Sequence, residues 1–571
     1  MPPYQYQPLN EREHEIRLVN ILPGSRGSEM VVELQHCNLI PCGSNPQFEA
    51  LSYTWGSPEN GVEIKIGRIG HDALTVTQNL GVALQYLRYL DKPRTLWIDA
   101  ICVNQKDLLE RSQQVMRMPD LYTQADRVVV WLGPEGIDTQ LALHTLEDLS
   151  FKVAVDWNFW TCKPAPGLEA SEEHWTDPDC VLPYNDNVVM GIATLFKRPW
   201  YERLWVQQEI RLANDAAIVL CGHDTILFSR LRKAALCLFN KRTLPYISKE
   251  VLNHVWQMGN IGYRNVVGIM ASTRFCKCFD PRDRVFAVLS FMEKEDRNLV
   301  IRPNYNETVE KVFEETTRKW IVHNTALDVL HLCSRSSTHT ALPSWVPDLC
   351  HPPTAKPFQL VAKASSRTSC EASFVQGILS LQGVPVATLS EVHTWLVEEE
   401  TTEIIQRLAP PGLMNESYIG QQCTLLDAFC STLNGGILSR CYIPDDISSP
   451  NFETFRETLK EIVKPDFDGT LSEISMGHLD NVERYLKGRL FFRTKQGHMG
   501  LAPIATLPGD EVVILLGGRS AFVLRPTSHD KYQLVGECYI HDFMYGEALL
   551  GTLPPYYRSV SRFDIKRSSK E

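Results

Sequence analysis

TLWIDAICVNQKDLLERSQQVMRMPDLYTQADRVVVWLG (95–133) is the stretch on which the fold class turns. TLWID (95–99) is a short apolar strand that ends in a carboxylate. Asp107 and Glu110 have capping-box spacing and open a helix, with Val115 and Met118 on one face. Pro119 is expected to kink or split that helix. RVVVWLG (127–133) is a near-continuous apolar strand closed by Gly133. Upstream, FEALSY (48–53) reads as a strand ending at Trp55-Gly56, followed by a hairpin of VEIKI (62–66) and ALTVT (73–77). Thr77 caps a helix carrying Leu80, Leu84, Leu87 and Leu90, and Pro93 stops it. Strands that alternate with helices and are apolar on both faces predict an α/β fold with a parallel sheet flanked by helices.

Further downstream the pattern changes. Residues 134–188, rich in Pro, Trp and Asp, read as an insertion, and 189–213 return to helix. The region 226–350 reads as mainly helical, as in TVEKVFEETTRKWIV (308–322), and LPSWVPDL (342–349) reads as a boundary. Residues 351–571 read as a mixed α/β region ending in a β-meander: EVVILL (511–516), a GGR turn, AFVLR (521–525) and YQLVGECYI (532–540). The expected organisation is an N-terminal extension (1–47), an α/β domain (48–225), a helical region (226–350) and a C-terminal domain (351–571).

Bulk composition is that of a globular chain: 571 residues, 44% hydrophobic and 22% charged. The 57 basic and 68 acidic residues leave a net charge of −11, which argues against broad nucleic-acid binding. The polar N-terminus lacks an apolar signal core, and no apolar run reaches membrane-spanning length. A cytoplasmic protein with no membrane span is expected, its 16 cysteines reduced. Cys276 and Cys278 form a CxC pair without a second pair at metal spacing, so no metal is assigned.

The sequence has no phosphate loop, no GxGxxG after a strand, no HExxH and no GxSxG. What remains is polar residues at strand ends and on one helix. Ser52, Tyr53, Thr54, Trp55 and Gly56 close the first strand, and Asp99 leads into Asn104 and Gln105. Ligands of open α/β sheets sit beyond the carboxyl ends of the strands, where both segments would lie. RPWYERLWVQQEI (198–210), if helical, puts Trp205 and Glu209 on one face and Val206, Ile210 and Ala213 on another. A ring beside a carboxylate suits a nucleotide. Each residue also has a plainer reading. Trp55 and Trp97 are core packing, and Asp99 caps its own loop. Glu209 pairs with Arg203 or Arg211 on a solvated face, and Cys102 is a buried hydrophobe.

EALSYTWG (49–56), TQNLGVALQYLR (77–88), LWIDAICVNQKDLLERSQQV (96–115), LYTQADRVVVWLG (121–133) and RPWYERLWVQQEI (198–210) resemble, in order, the blocks of the heterokaryon-incompatibility (HET) domain. DPRDRVFAVLSF (280–291), LPSWVPDL (342–349) and YQLVGECYIHDFMYGEAL (532–549) resemble segments that accompany it in large fungal proteins. The chain departs from the pattern at Pro119 and at HDFM, where family members tend to carry a small residue after the His. The HET domain is in turn similar to TIR domains, to whose first strand and loop ALSYTWG corresponds. ERLWVQQEI resembles the TIR helix in which a Trp is followed, four residues on, by a Glu.

The resemblance implies a protein of fungal self/non-self recognition and cell death. In enzymatic TIR domains that Glu cleaves NAD+ at the nicotinamide–ribose bond. Carried over, Glu209 is catalytic, and Tyr53, Trp55, Gly56, Asp99, Asn104 and Trp205 bind the substrate. NAD+ then enters as substrate and no cofactor is implied. The implied partners are a second copy of the chain, in a homo-oligomer, and an incompatibility partner protein. The competing implication is a non-enzymatic signalling module that acts through oligomer contacts.

Overall fold

The apolar runs assemble into two sheets in a computed structural model, which describes all residues except 41–45, 68–71, 243, 259–265, 292–300, 335–341, 352–354, 356, 359–361, 395–398, 420–422, 437–450, 528–530, 551–559 and 567–571. The chain divides into two units, 1–307 and 308–571. The boundary therefore falls just before the helix at 309, and not near residue 350.

In the first unit the strands are β1 (Glu15–Ile21), β2 (Val31–Asn38), β3 (Glu49–Tyr53), β4 (Val62–Ile66), β5 (Asp72–Val76), β6 (Arg94–Trp97), β7 (Arg127–Trp131), β8 (Val153–Asp156), β9 (Thr161–Pro164), β10 (Ile218–Cys221) and β11 (Asp224–Leu227). Nine of them form one sheet in the order β11-β10-β7-β3-β6-β1-β2-β4-β5, and β8 and β9 pair separately. The expected parallel sheet is its centre: β3 runs parallel to both β6 and β7, and β7 to β10. β1 joins β6 antiparallel and carries β2 with it. Residues 1–47 are thus no separate extension, because β1 and β2 lie inside the sheet between β6 and the β4–β5 hairpin.

The helices are α1 (Gln78–Leu87), α2 (Asp99–Cys102), α3 (Leu108–Gln124), α4 (Thr139–Lys152), α5 (Asp186–Phe196), α6 (Trp205–Arg211), α7 (Phe228–Asn240), α8 (Lys249–Gln257), α9 (Val266–Thr273) and α10 (Asp283–Phe286). Thr77 caps α1 as expected, accepting from the Leu80 N–H. The helix ends at Leu87, however, and Leu90 is exposed. Asp107 caps α3, but Glu110 does not turn back to it and pairs with buried Arg17 instead. Pro119 does not split α3. One missing N–H is tolerated because Met118, Leu121 and Tyr122 pin both sides of it into the core. Residues 134–188 are no mere insertion either, since α4 buries Ala142, Leu143, Leu146 and Leu149.

The second unit opens with α11 (Val309–Asn324), capped by Thr308. Its strands are β12 (Ser373–Val375), β13 (Ile378–His393), β14 (Arg489–Thr494), β15 (Met499–Pro503), β16 (Glu511–Leu515), β17 (Ala521–Pro526), β18 (Lys531–Ile540) and β19 (Ser561–Ile565). The expected meander is β16–β18, but it is part of a closed wall. β13 pairs with β14 through one stretch and with β16 through another, so the ring β13-β14-β15-β18-β17-β16 returns to its start. Register shifts in β13 at Pro385/Ala387 and at Leu389/Glu391 bend it enough to serve both neighbours.

A Cβ at Gly500 in β15 would overlap the Tyr539 carbonyl oxygen and the Phe492 ring. Gly500→Ala is therefore expected to cost about 1–3 kcal/mol, read as a lower urea midpoint for this unit. An unchanged midpoint would show that the wall yields there. The His541 ring, just after β18, has a neighbour at each nitrogen. The Cys423 thiol lies 3.5 Å from His541 Nε2 and the Tyr539 hydroxyl 3.1 Å from Nδ1. Asp542 sits at φ +72°, a left-handed position that suits the small residue the family tends to place there.

Candidate functional site

The four parallel strands run β6-β3-β7-β10 across the sheet. The chain passes from β3 to β6 on one side and then crosses to β7 on the other, so the winding reverses between β3 and β7. In doubly wound sheets that reversal opens a crevice beyond the carboxyl ends of the strands. The residues at this rim come from the ends of β3 and β6 and from the segment 199–211.

Ser52 sits near the carboxyl end of β3, in a run buried on both faces, and a hydroxyl there must find partners. Trp200 Nε1 donates to Ser52 Oγ at 2.8 Å, and Ser52 Oγ donates to Glu209 Oε2. Trp200 is set by a 3-10 turn, Pro199–Glu202, with Pro in its first position. The chain then breaks: the Leu204 N–H donates to Lys277 O at 2.9 Å, and α6 starts only at Trp205. So 198–210 is not one helix. The break turns Arg203 back over the strand end, where its guanidinium donates to the Tyr53 carbonyl.

Asp99 begins α2 and does not end a strand. Its Oδ1 accepts from the Ala100 N–H at 2.7 Å and its Oδ2 from Trp55 Nε1 at 2.8 Å. The Tyr53 hydroxyl is buried and close enough to feel the Asp99 charge. Asn79 of α1 donates to the Thr54 carbonyl and fixes the loop after β3. That loop turns at Gly56, φ +78°.

Glu209 is 2% exposed. Burial pushes its carboxyl up to about 7; Arg203 and the Ser52 hydrogen bond oppose the rise, and Asp99 adds to it. Asp99 is raised by burial as well, against the pull of Arg203 and Trp55. Burial, with the Asp99 charge next, holds the Tyr53 hydroxyl well above its usual range. Two carboxyl groups at the strand ends are therefore both raised by burial, and the charge of Arg203 opposes the rise in each. Such clustering of perturbed groups marks functional sites more often than structural ones.

Of the expected site residues, Tyr53, Trp55, Asp99 and Glu209 come together, and Gly56 lies on the adjoining loop. Two do not join them. Trp205 sends its indole N–H to Asp283 Oδ2 at 2.9 Å, and Tyr305 donates to the other oxygen at 2.6 Å. Asn104 is taken up by its own turn, its side chain accepting from the Lys106 N–H and its N–H donating to Glu110. Asp99 does not cap this loop through its carboxylate; Gln105 donates to its main-chain oxygen. Glu209 is on no solvated face, and the Arg211 guanidinium lies over the Phe291 ring, 4.9 Å from its centroid.

Nothing in the sequence singles out Asn79 or Trp200, and it offers Ser52 only as a strand-end residue and Arg203 only as an ion-pair partner of Glu209. Arg203 stands six positions before Glu209, which in an unbroken helix would point it elsewhere. Only the break at 203–204 brings the two together. A cavity of about 430 Å³ lies away from these residues, lined by Tyr4, Asn20, Glu33, Leu34 and Ile66 among others. Among the described residues no group of three or more His, Cys, Asp or Glu is placed to hold a metal, and no helix is long and apolar enough to cross a membrane.

The family model described as heterokaryon incompatibility protein (HET) matches residues 48–209. A second, described as the Het-6 beta-barrel domain, matches 467–552 and covers most of the closed wall of strands. The chain is similar to heterokaryon incompatibility protein 6, OR allele, of Neurospora crassa, at 25% identity over 95% of this chain and 96% of that protein. No solved structure is significantly similar to the chain. The first of these matches ends on Glu209 and so takes in every residue of the rim, and the second falls where the strands close on themselves: the chain is a heterokaryon-incompatibility (HET) domain protein.

Proposed function

We propose that the protein acts in self/non-self recognition and cell death, and that the rim beyond β3 and β6 is a nucleotide site where NAD+ is cleaved. The observation that carries this reading is the pair of carboxyl groups, Asp99 held by Trp55 and Glu209 held by Ser52, both raised by burial and within the field of Arg203 beside the ends of β3 and β6. The nicotinamide of NAD+ is a cationic leaving group and needs no general acid, unlike the leaving oxygen of a glycoside. One carboxylate that binds the ribose hydroxyls and stabilises an oxocarbenium-like transition state is enough. Glu209 takes that role, Tyr53, Trp55 and Asp99 shape the site, and half-buried Trp55 and Asp99 offer the way in from solvent. By analogy with enzymatic TIR domains, the active form is a homo-oligomer, assembled in response to an incompatibility partner.

The test is NAD+ turnover with product identification across protein concentration, for wild type, Glu209→Ala and Asp99→Asn. Glu209→Ala is expected to lower turnover by about 100-fold or more. Equal rates in wild type and Glu209→Ala remove Glu209 from the role. One observation favours a second reading, a non-enzymatic signalling module: Glu209 is 2% exposed and already accepts from Ser52. Absence of turnover at every protein concentration would select it.

A further inference from the structure

Sixteen cysteines lie in the chain, and no disulfide links the described ones. Two of them lie where the β8–β9 hairpin packs on α7. Lys233, Cys237, Asn240 and Lys241 are spaced i, i+4, i+7 and i+8, which puts them on one side of that helix. Cys162 of β9 docks there, its sulfur accepting from Asn240 Nδ2 at 3.7 Å. Cys237 lies one turn before Asn240, buried, with its thiol directed at the Trp175 carbonyl, 3.5 Å away. Cys162 itself is half-buried.

The surroundings polarise the pair. Lys241 Nζ is held by the Asp177 carbonyl at 2.7 Å and Lys233 Nζ by the Ser150 carbonyl at 3.1 Å. Among the described residues neither ammonium makes an ion pair, so their charge is left to act on the sulfurs. A hydrogen bond from Cys237 lowers the Cys162 thiol most; Asn240, Lys241 and Lys233 lower it further, and burial works against them. Cys237 is raised by the same hydrogen bond and by burial. The half-buried thiol is thus favoured as the one that ionises first, and the buried one is held back.

We propose that Cys162 and Cys237 are an oxidisable dithiol that forms an internal disulfide with a small-molecule disulfide oxidant of the glutathione type. The Cys162 thiolate attacks one sulfur of the oxidant and expels one thiolate, giving a mixed disulfide. Cys237 gives up its proton and attacks the Cys162 sulfur, expelling the second. Two cysteine thiols and one oxidant disulfide become one protein disulfide and two small thiols, with two electrons passed to the oxidant. The bond ties the β8–β9 hairpin to α7. This dithiol is independent of the rim site and stands or falls separately from NAD+ cleavage.

The experiment equilibrates the full chain in reduced and oxidised glutathione buffers of stepped ratio, quenches in acid and maps differentially alkylated peptides by mass. Cys162 and Cys237 are expected to leave the reduced pool together, with one midpoint, as a single cross-linked peptide lacking two hydrogens and without glutathione. Exposed Cys350 serves as the reference thiol and should carry glutathione instead. In Cys237→Ser the mixed disulfide on Cys162 should persist. Separate midpoints, stable glutathione on wild-type Cys162, or two thiols still reduced where Cys350 is modified would each overturn the proposal, and these readings need only the wild-type chain.

Discussion

Arg17→Ala is expected to destabilise the first unit by about 3–5 kcal/mol, the range for breaking a buried ion pair by removing one partner. Arg17 of β1 is fully buried. Its guanidinium meets Glu110 two-pronged, NH1 to Oε1 at 2.6 Å and NH2 to Oε2 at 3.0 Å. The same group donates to Cys102 O at 3.0 Å and Gln7 O at 2.5 Å. Glu110 also accepts from the Asn104 N–H at 2.7 Å. Truncation leaves a carboxylate inside the protein with its charge unmatched, and it frees two anchors of the loop that follows Asp99. The measurement is the urea midpoint of the unit, together with the double variant Arg17→Met/Glu110→Leu. The double variant should recover most of the loss, since replacing both partners by apolar groups is close to neutral. A single-variant loss under about 1 kcal/mol would mean that the pair is effectively solvated.

The second large effect concerns pH. Glu209 has its carboxyl raised in the folded state from 4.5 to about 7. The folded protein therefore holds that proton more tightly than the unfolded chain does. The stability it contributes is complete below the unfolded value and is lost as pH rises through about 7. The difference between the two plateaus is about 3 kcal/mol, at 1.36 kcal/mol for each unit. Asp99, also raised, acts in the same direction.

Glu209→Gln keeps the shape, removes the charge, and should flatten this part of the profile. At pH 8 the variant is expected to unfold at higher urea than wild type, and near pH 4 at about the same concentration. A wild-type advantage that does not change between these pH values would show that the carboxylate is comfortably solvated. Combined with NAD+ turnover, the variant separates the two readings of the site. A more stable protein without turnover is the mark of a residue held for chemistry at the expense of the fold. A more stable protein with turnover intact makes Glu209 a structural burden only.

Much of the local structure was legible from residue order. The Thr77 and Asp107 caps, the β4–β5 hairpin, α11 and the strands of the C-terminal meander are set by contacts within a few residues. The ordered HET blocks pointed to the first domain. The site was only half legible. Polar residues at strand ends pointed to Tyr53, Trp55 and Asp99, and one carboxylate on a helix pointed to Glu209. Ser52 stood as one polar residue among several at the end of a strand, and nothing marked Trp200. Arg203 read only as a partner of Glu209 on a solvated face, because nothing in ERLW marks the break that the Leu204–Lys277 hydrogen bond imposes.

From the chain alone came several of the strands and helices, among them β3 to β7, α1, α3, α11 and β16 to β18, and which polar residues stand near their ends; these follow from periodicity and capping, forces that act over one or two turns. Tertiary structure alone decided that β1 and β2 complete the sheet, that β13 closes a barrel by pairing with both β14 and β16, that Trp205 turns to Asp283, and that Glu209 is shut away from water beside Arg203 and Asp99. Apart from Arg203 and Glu209, six positions apart but brought together by a break in the chain, each of these joins residues tens to hundreds of positions apart. Burial and the field of neighbouring charges belong to such meetings and not to any stretch of sequence, so the protonation of Glu209 is a property of the folded protein.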